Sequence, residues 1–205
     1  MFDMEYKTVY RKQIAAGSAW IISSLLLFLH GCFLVPSVHP LYTDADIIFD
    51  PALLGIWAAE DSKDSLTFIQ EDADSYKLIV AGDDGPRGEF IVHLVKLGGA
   101  RFLDLYPDEP ACKLNDLYVL HLFPMHSFML VSQIEPALQL APFDVEWFEK
   151  FIAKNPKAIR HEKSKDGFLF TAPTRDLQKF LLAHVKTEGA FSESSELKRL
   201  PDGQQ

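Results

Sequence analysis

The chain has 205 residues, 48% of them hydrophobic, with 29 acidic and 20 basic side chains and a formal net charge of −9. That length suits one domain of ordinary size behind a short targeting segment, and the apolar share is enough for a core. The acidic balance, with no basic run anywhere in the chain, excludes a phosphate-backbone partner, so no nucleic-acid binding is expected.

Residues 1–31 have the layout of a secretory signal peptide. Lys7, Arg11 and Lys12 form a basic start diluted by Asp3 and Glu5, and residues 14–29 carry no charge. The run ends in Leu29-His30-Gly31-Cys32. This resembles the lipobox of bacterial lipoproteins, in which a Leu three places upstream and a small residue precede the modified Cys. His30 stands where that motif has another small residue. The resemblance implies a diacylglycerol thioether on Cys32, cleavage ahead of it and an N-acyl chain. Each buried methylene adds about 0.8 kcal/mol of membrane affinity, so several chains anchor stably. Phe33 rather than Asp follows Cys32, which favours the outer membrane or periplasmic face over the inner membrane.

The alternative is an uncleaved anchor helix over residues 14–35. Arg11 and Lys12 before it, with Asp44 and Asp46 after it, still place the domain outside. Both readings give an exported, membrane-anchored protein. Residues 32–205 hold 27 acidic and 17 basic side chains, a net of −10, and such a surface is repelled by anionic lipid. Attachment is therefore expected from the N-terminus alone. Acylation of Cys32 leaves Cys112 without a disulfide partner, as a small core or edge thiol.

Residues 32–50 read as a tether interrupted by Pro36 and Pro40, with Phe33, Leu34 and Val35 near the bilayer. Residues 51–186 form the domain. Strands are expected at 54–57, 65–70, 75–81, 89–97, 100–106, 118–123, 127–134 and 138–141, from runs of β-branched and aromatic residues between turn signals. Asp83-Asp84-Gly85-Pro86 is a turn, and Gly98-Gly99 predicts a two-residue hairpin loop. A helix follows at 144–154, capped by Asp144, with Trp147, Phe148, Phe151 and Ile152 on one face. Strands near 159–163 and 167–171 precede a last helix, capped by Thr174, to about residue 186. Residues 187–205 read as a loose polar tail. The expected fold is mainly β with two late helices: a small antiparallel barrel or strongly curved sheet, behind an N-terminal signal or anchor helix.

The stretch Pro40-Leu41-Tyr42-Thr43, then Asp46, then residues 50–57 resembles uncharacterised bacterial lipoproteins. Within it, Gly55-x-Trp57 is similar to the first-strand motif of the lipocalins, in which a short helix precedes a Gly-x-Trp strand. In that family Trp closes one end of an eight-stranded cup that binds apolar small molecules. The residue patterns single out no Arg to pair with Trp57.

The lipocalin-like reading makes Trp57, Leu66, Phe68, Tyr76, Leu78, Phe90 and Val92 the candidate ligand contacts, as inward strand residues. The same residues serve equally as plain core if the barrel is filled by its own side chains. No catalytic residue is assigned, because no nucleophile elbow, phosphate loop, His-Glu-x-x-His or Cys-x-x-Cys occurs. The candidate metal set is His93, His121 and His126, with Asp104, should their strands be neighbours. No cofactor is implied. Three functions remain open: an anchored barrel binding an apolar molecule or lipid, an envelope structural or protein-interaction lipoprotein, and a metal-dependent enzyme at the histidines. The expected partners are the membrane, through the N-terminal lipid or helix, and either an apolar ligand or an envelope protein.

Overall fold

The computed structural model describes residues 34–82, 87–109, 115–119, 121–165 and 167–201. The signal or anchor segment, Cys32, Cys112 and the Asp83-Asp84-Gly85-Pro86 turn lie outside these residues.

Eight antiparallel strands close into a barrel. They are β2 (Gly55–Ala58), β3 (Ser65–Gln70), β4 (Tyr76–Ala81), β5 (Gly88–Leu97), β6 (Ala100–Pro107), β7 (Ser127–Gln133), β8 (Ala137–Pro142) and β11 (Ser195–Arg199). From β2 to β8 each strand pairs with the next in sequence, and β11 fits between β8 and β2 to complete the circle. Closure removes the exposed edges that an open sheet would carry. The two-residue strand β1 (Ile47–Ile48) adds to β5 beyond the end of its pairing with β4. Gly98-Gly99 is the expected tight loop, with Leu97 opposite Ala100 and Gly98 at φ +57°.

Alternation along the strands sorts the side chains into two layers. Trp57, Leu66, Phe68, Tyr76, Leu78, Val92, Leu94, Leu103, Leu105 and Leu138 belong to one contiguous cluster inside the barrel. A second core lies outside it, where Val95, Phe102 and Phe128 on the outer faces of β5, β6 and β7 meet the segment between β8 and β11. That segment holds α2 (Val145–Lys154), the hairpin β9 (His161–Ser164) and β10 (Gly167–Phe170), and α3 (Thr174–His184). The hairpin is a separate two-stranded sheet. Asp144 caps α2 by accepting from the Trp147 amide at 2.6 Å, as expected.

Four expectations are corrected. Among the described residues of 118–123 there is no strand; a short helix α1 (Asp116–Val119) overlaps the start of that stretch instead. Its cause is local, since Asn115 Oδ1 accepts from the Leu117 amide at 3.0 Å, and β6 pairs directly with β7. Thr174 does not cap α3; its hydroxyl donates to Pro40 O at 2.8 Å, and Pro173 occupies the cap position. The loose tail contains β11, with Leu197 fully buried in the barrel core.

The fourth concerns the tether. Val35 and Leu41 are buried in the outer core, and Ser37 is fully buried between two sheets. Ser37 exchanges two backbone bonds with His126, at 2.8 and 2.9 Å. On its other side Phe170 N donates to Pro36 O at 2.8 Å, and Val38 N donates to Phe170 O at 3.0 Å. From residue 35 the chain is part of the fold.

Candidate functional site

The seven candidate ligand residues come together inside the barrel. Trp57, Leu66, Phe68, Tyr76, Leu78 and Val92 are buried in its core, and Phe90 packs against them half-buried. Tyr76 also ties the barrel to the chain before β2. Its hydroxyl accepts from Asp50 N at 2.6 Å, and Phe49 stacks on its ring at 4.7 Å between centroids. Burial raises the Tyr76 phenol above its ordinary range.

Trp57 has a partner that no sequence pattern revealed. Arg199 on β11 stands opposite it in register, with its guanidinium 4.2 Å from the indole centroid. The same guanidinium donates to Ala52 O at 2.6 Å and to Leu54 O. A Cβ built at Gly55, whose φ is +122°, would lie 2.5 Å from Arg199 Nη1. Glycine at this position therefore serves both the backbone twist and the approach of the arginine.

The histidine set is split. His93 and Asp104 face each other across β5 and β6, and His126 Nδ1 donates to Asp104 Oδ1 at 2.7 Å. His121 is exposed beyond α1, with its Nδ1 bonded to Leu117 O at 2.7 Å. Among the described residues no three His, Cys, Asp or Glu side chains are placed to share a metal ion. The Asp104 carboxylate is nearly inaccessible, and its second oxygen accepts from Leu41 N at 2.6 Å. Tyr42 covers the group, 4.4 Å from the His93 ring, and Tyr106 lies 4.7 Å from His126. Burial lowers the His93 pKa, with the Asp104 charge opposing. Burial and the same charge raise that of Tyr42. One carboxylate oxygen fastens the entry segment at Leu41, and the other holds His126, whose backbone pairs with Ser37 of the same segment. That geometry is a clasp.

A recess of about 390 Å³ opens where the chain enters the fold. Its apolar lining includes Leu34, Pro36, Met125, Val145, Phe168 and Leu169. Glu162, Lys163 and Ser164 of β9 and Gly167 of β10 complete it. The Lys163 ammonium bonds Glu149 at 2.7 Å and lies 5.0 Å over the Phe168 ring. Only Leu34 and Pro36 among these residues were singled out in the sequence, because the recess is made where four separate segments meet.

Exposed apolar side chains concentrate in the segment that runs up to Met125 at the edge of this recess. Among the described residues eight large hydrophobic side chains are exposed, and six of them are Leu117, Tyr118, Val119, Leu122, Phe123 and Met125. The α2 face, by contrast, is occupied: Trp147 stacks on Phe151 at 4.9 Å and contacts His184, while Phe148 and Ile152 are buried.

No family model, curated protein or solved structure matches this chain.

Proposed function

We propose that the protein is an exported envelope lipoprotein, acylated on Cys32, whose barrel is a non-catalytic module binding an apolar chain or lipid at the membrane surface. One observation carries this reading: the chain enters the fold almost at the acylation motif. Leu34 already packs against the barrel core, and Val35 is 3% exposed. Two extended residues span at most about 7 Å. An anchor at Cys32 thus holds the barrel on the bilayer, and the recess beginning at Leu34 faces the lipid source.

The recess has the size and apolar lining of a small-molecule site, with polar groups on one side to orient a headgroup. The inward residues of the barrel, packed on one another, are the rigid support against which Leu34, at the edge of the recess, is held. The lipocalin-like and lipoprotein resemblances are consistent with the closed barrel, the Gly55-x-Trp57 strand and Arg199.

The test has two halves. Intact mass of the membrane-derived full chain is expected to show cleavage before Cys32 with added acyl groups, and Cys32→Ser to lose them; an unmodified Cys32 sinks the anchor. Native mass spectrometry of the same full chain is expected to show a co-purifying mass in the lipid range, lost in Leu169→Arg. A bare polypeptide mass in the wild type sinks the ligand half and favours a structural or protein-interaction role.

A further inference from the structure

The structure points to a second membrane contact. We propose that the patch of Leu117, Tyr118, Val119, Leu122, Phe123 and Met125 inserts into the headgroup–acyl boundary of the bilayer that carries the anchor, and so fixes the orientation of the barrel. This rests on the anchoring at Cys32 proposed above.

Position comes first. The Ser37–His126 bridge lays the entering chain against the end of this segment, and Leu34 and Met125 line one recess. The patch and the anchor therefore emerge on the same side. Since Cys32 lies within about 7 Å of the Leu34 backbone, the membrane surface cannot lie far from Met125. Apolar interfacial elements settle roughly 5–10 Å into the headgroup–acyl boundary, a depth comparable to that reach. The same geometry holds for a retained anchor helix, because Leu34 follows either form of anchor directly.

Chemistry comes second. Residues 115–125 contain one acidic side chain, Asp116, and no Lys or Arg. Leu117 and Phe123 are 68% and 69% exposed, values that waste apolar area in water. Tyr and Phe beside branched aliphatic side chains suit an interface that is wet on one side and apolar on the other. The exported part carries a net charge of −10, so electrostatics does not draw it to anionic lipid. Apolar insertion is the remaining attraction available to this face. Tethering favours the bilayer over a diffusing partner, because the anchor keeps lipid at high effective concentration beside the patch.

The test uses the full chain in vesicles of phosphatidylethanolamine and phosphatidylglycerol. A Cys112→Ser background, in which acylation occupies the Cys32 sulfur or, for a retained anchor helix, Cys32→Ala removes it, receives one reporting thiol by Phe123→Cys or, in a second protein, Leu117→Cys. Ile69→Cys, exposed at 47% on β3, is the comparison. Each thiol carries a nitroxide whose relaxation by dissolved oxygen and by a water-soluble nickel chelate is read. The expected result is loss of nickel access with gain of oxygen access at 123 and 117, while 69 behaves as a water-exposed site. Nickel access equal to that at 69, in a chain that resists carbonate extraction, overturns the docking and leaves the anchor standing. Loss of access to both relaxants means that a protein or a second copy covers the patch, and overturns it too. Extraction of the wild-type chain by carbonate removes the anchor and the docking together.

Discussion

Arg199 and Trp57 stand opposite each other on β11 and β2, with the guanidinium 4.2 Å from the indole centroid and two of its donors on the carbonyls of Ala52 and Leu54. The pair sits where the last strand meets the first to close the barrel. Removing it by Arg199→Ala is expected to lower stability by about 2–3 kcal/mol, from two charge-assisted bonds and the cation–π contact. Arg199→Lys recovers less than half of that, because an ammonium lacks the fork that reaches both carbonyls. Urea unfolding checks both; equal stability of Lys and Arg would remove the role given to the fork.

Gly55→Ala is expected to destabilise by about 1–3 kcal/mol, from a strained positive φ and the collision with Arg199. The strain persists when the arginine is absent, whereas the collision does not. Gly55→Ala combined with Arg199→Ala should therefore cost less than the sum of the single changes. Strict additivity in the double-mutant cycle would show that the two residues do not press on each other.

Asp104 holds both His126 and the Leu41 amide. Asp104→Ala leaves these two donors without their partner and is expected to cost about 2–6 kcal/mol, from the desolvation penalty of each. The loss should be local first, so amide exchange at Leu41 and Ser37 speeds up more than exchange in β3 or β4. Unchanged protection at Leu41 would contradict the clasp.

Burial lowers the pKa of His93 and of His184 below the ordinary imidazole value of 6.5. The unfolded chain thus takes up protons first as pH falls. The stability tied to these neutral rings is complete above that value and is lost as pH drops through the lower folded-state values. Asp46, Asp108 and Glu149, whose pKa values are lowered by hydrogen bonds, act only further down in the carboxylate range. His93→Gln with His184→Gln should flatten the dependence of the urea midpoint between about pH 7 and pH 5. A slope unchanged by the pair would assign the acid sensitivity elsewhere.

A chain beginning at Asp44 lacks Val35 and Leu41, both buried in the outer core. It is expected to be about 3–6 kcal/mol less stable than one beginning at Leu34, from the burial of two large aliphatic side chains. Thermal unfolding of the two chains compares them directly, and matching midpoints would return residues 34–43 to the status of a tether.

Local chemistry made much of the barrel legible. Alternation in β3, β4 and β5 put Leu66, Phe68, Tyr76, Leu78 and Val92 on one face, and the structure buries that face. Gly98-Gly99 and the Asp144 cap were readable because each acts within a few residues. Where the signal was apolar but had no sheet neighbour to receive it, as at 118–123, periodicity misled. The reverse occurred at 195–199: polar residues form a strand because β8 and β2 both present free ladders to Ser195–Arg199.

By itself the sequence determined the mainly β class, the barrel's inward face, the Gly98-Gly99 loop and the Asp144 cap, since these follow from alternation and from groups a few bonds apart. Only the tertiary structure decided which distant residues meet. Arg199 reaches Trp57 across the strand pair that closes the barrel, Asp104 clasps Leu41, and Leu34 shares a recess with Met125. These contacts join segments far apart in the chain, so their energy depends on register and closure, which no local pattern carries.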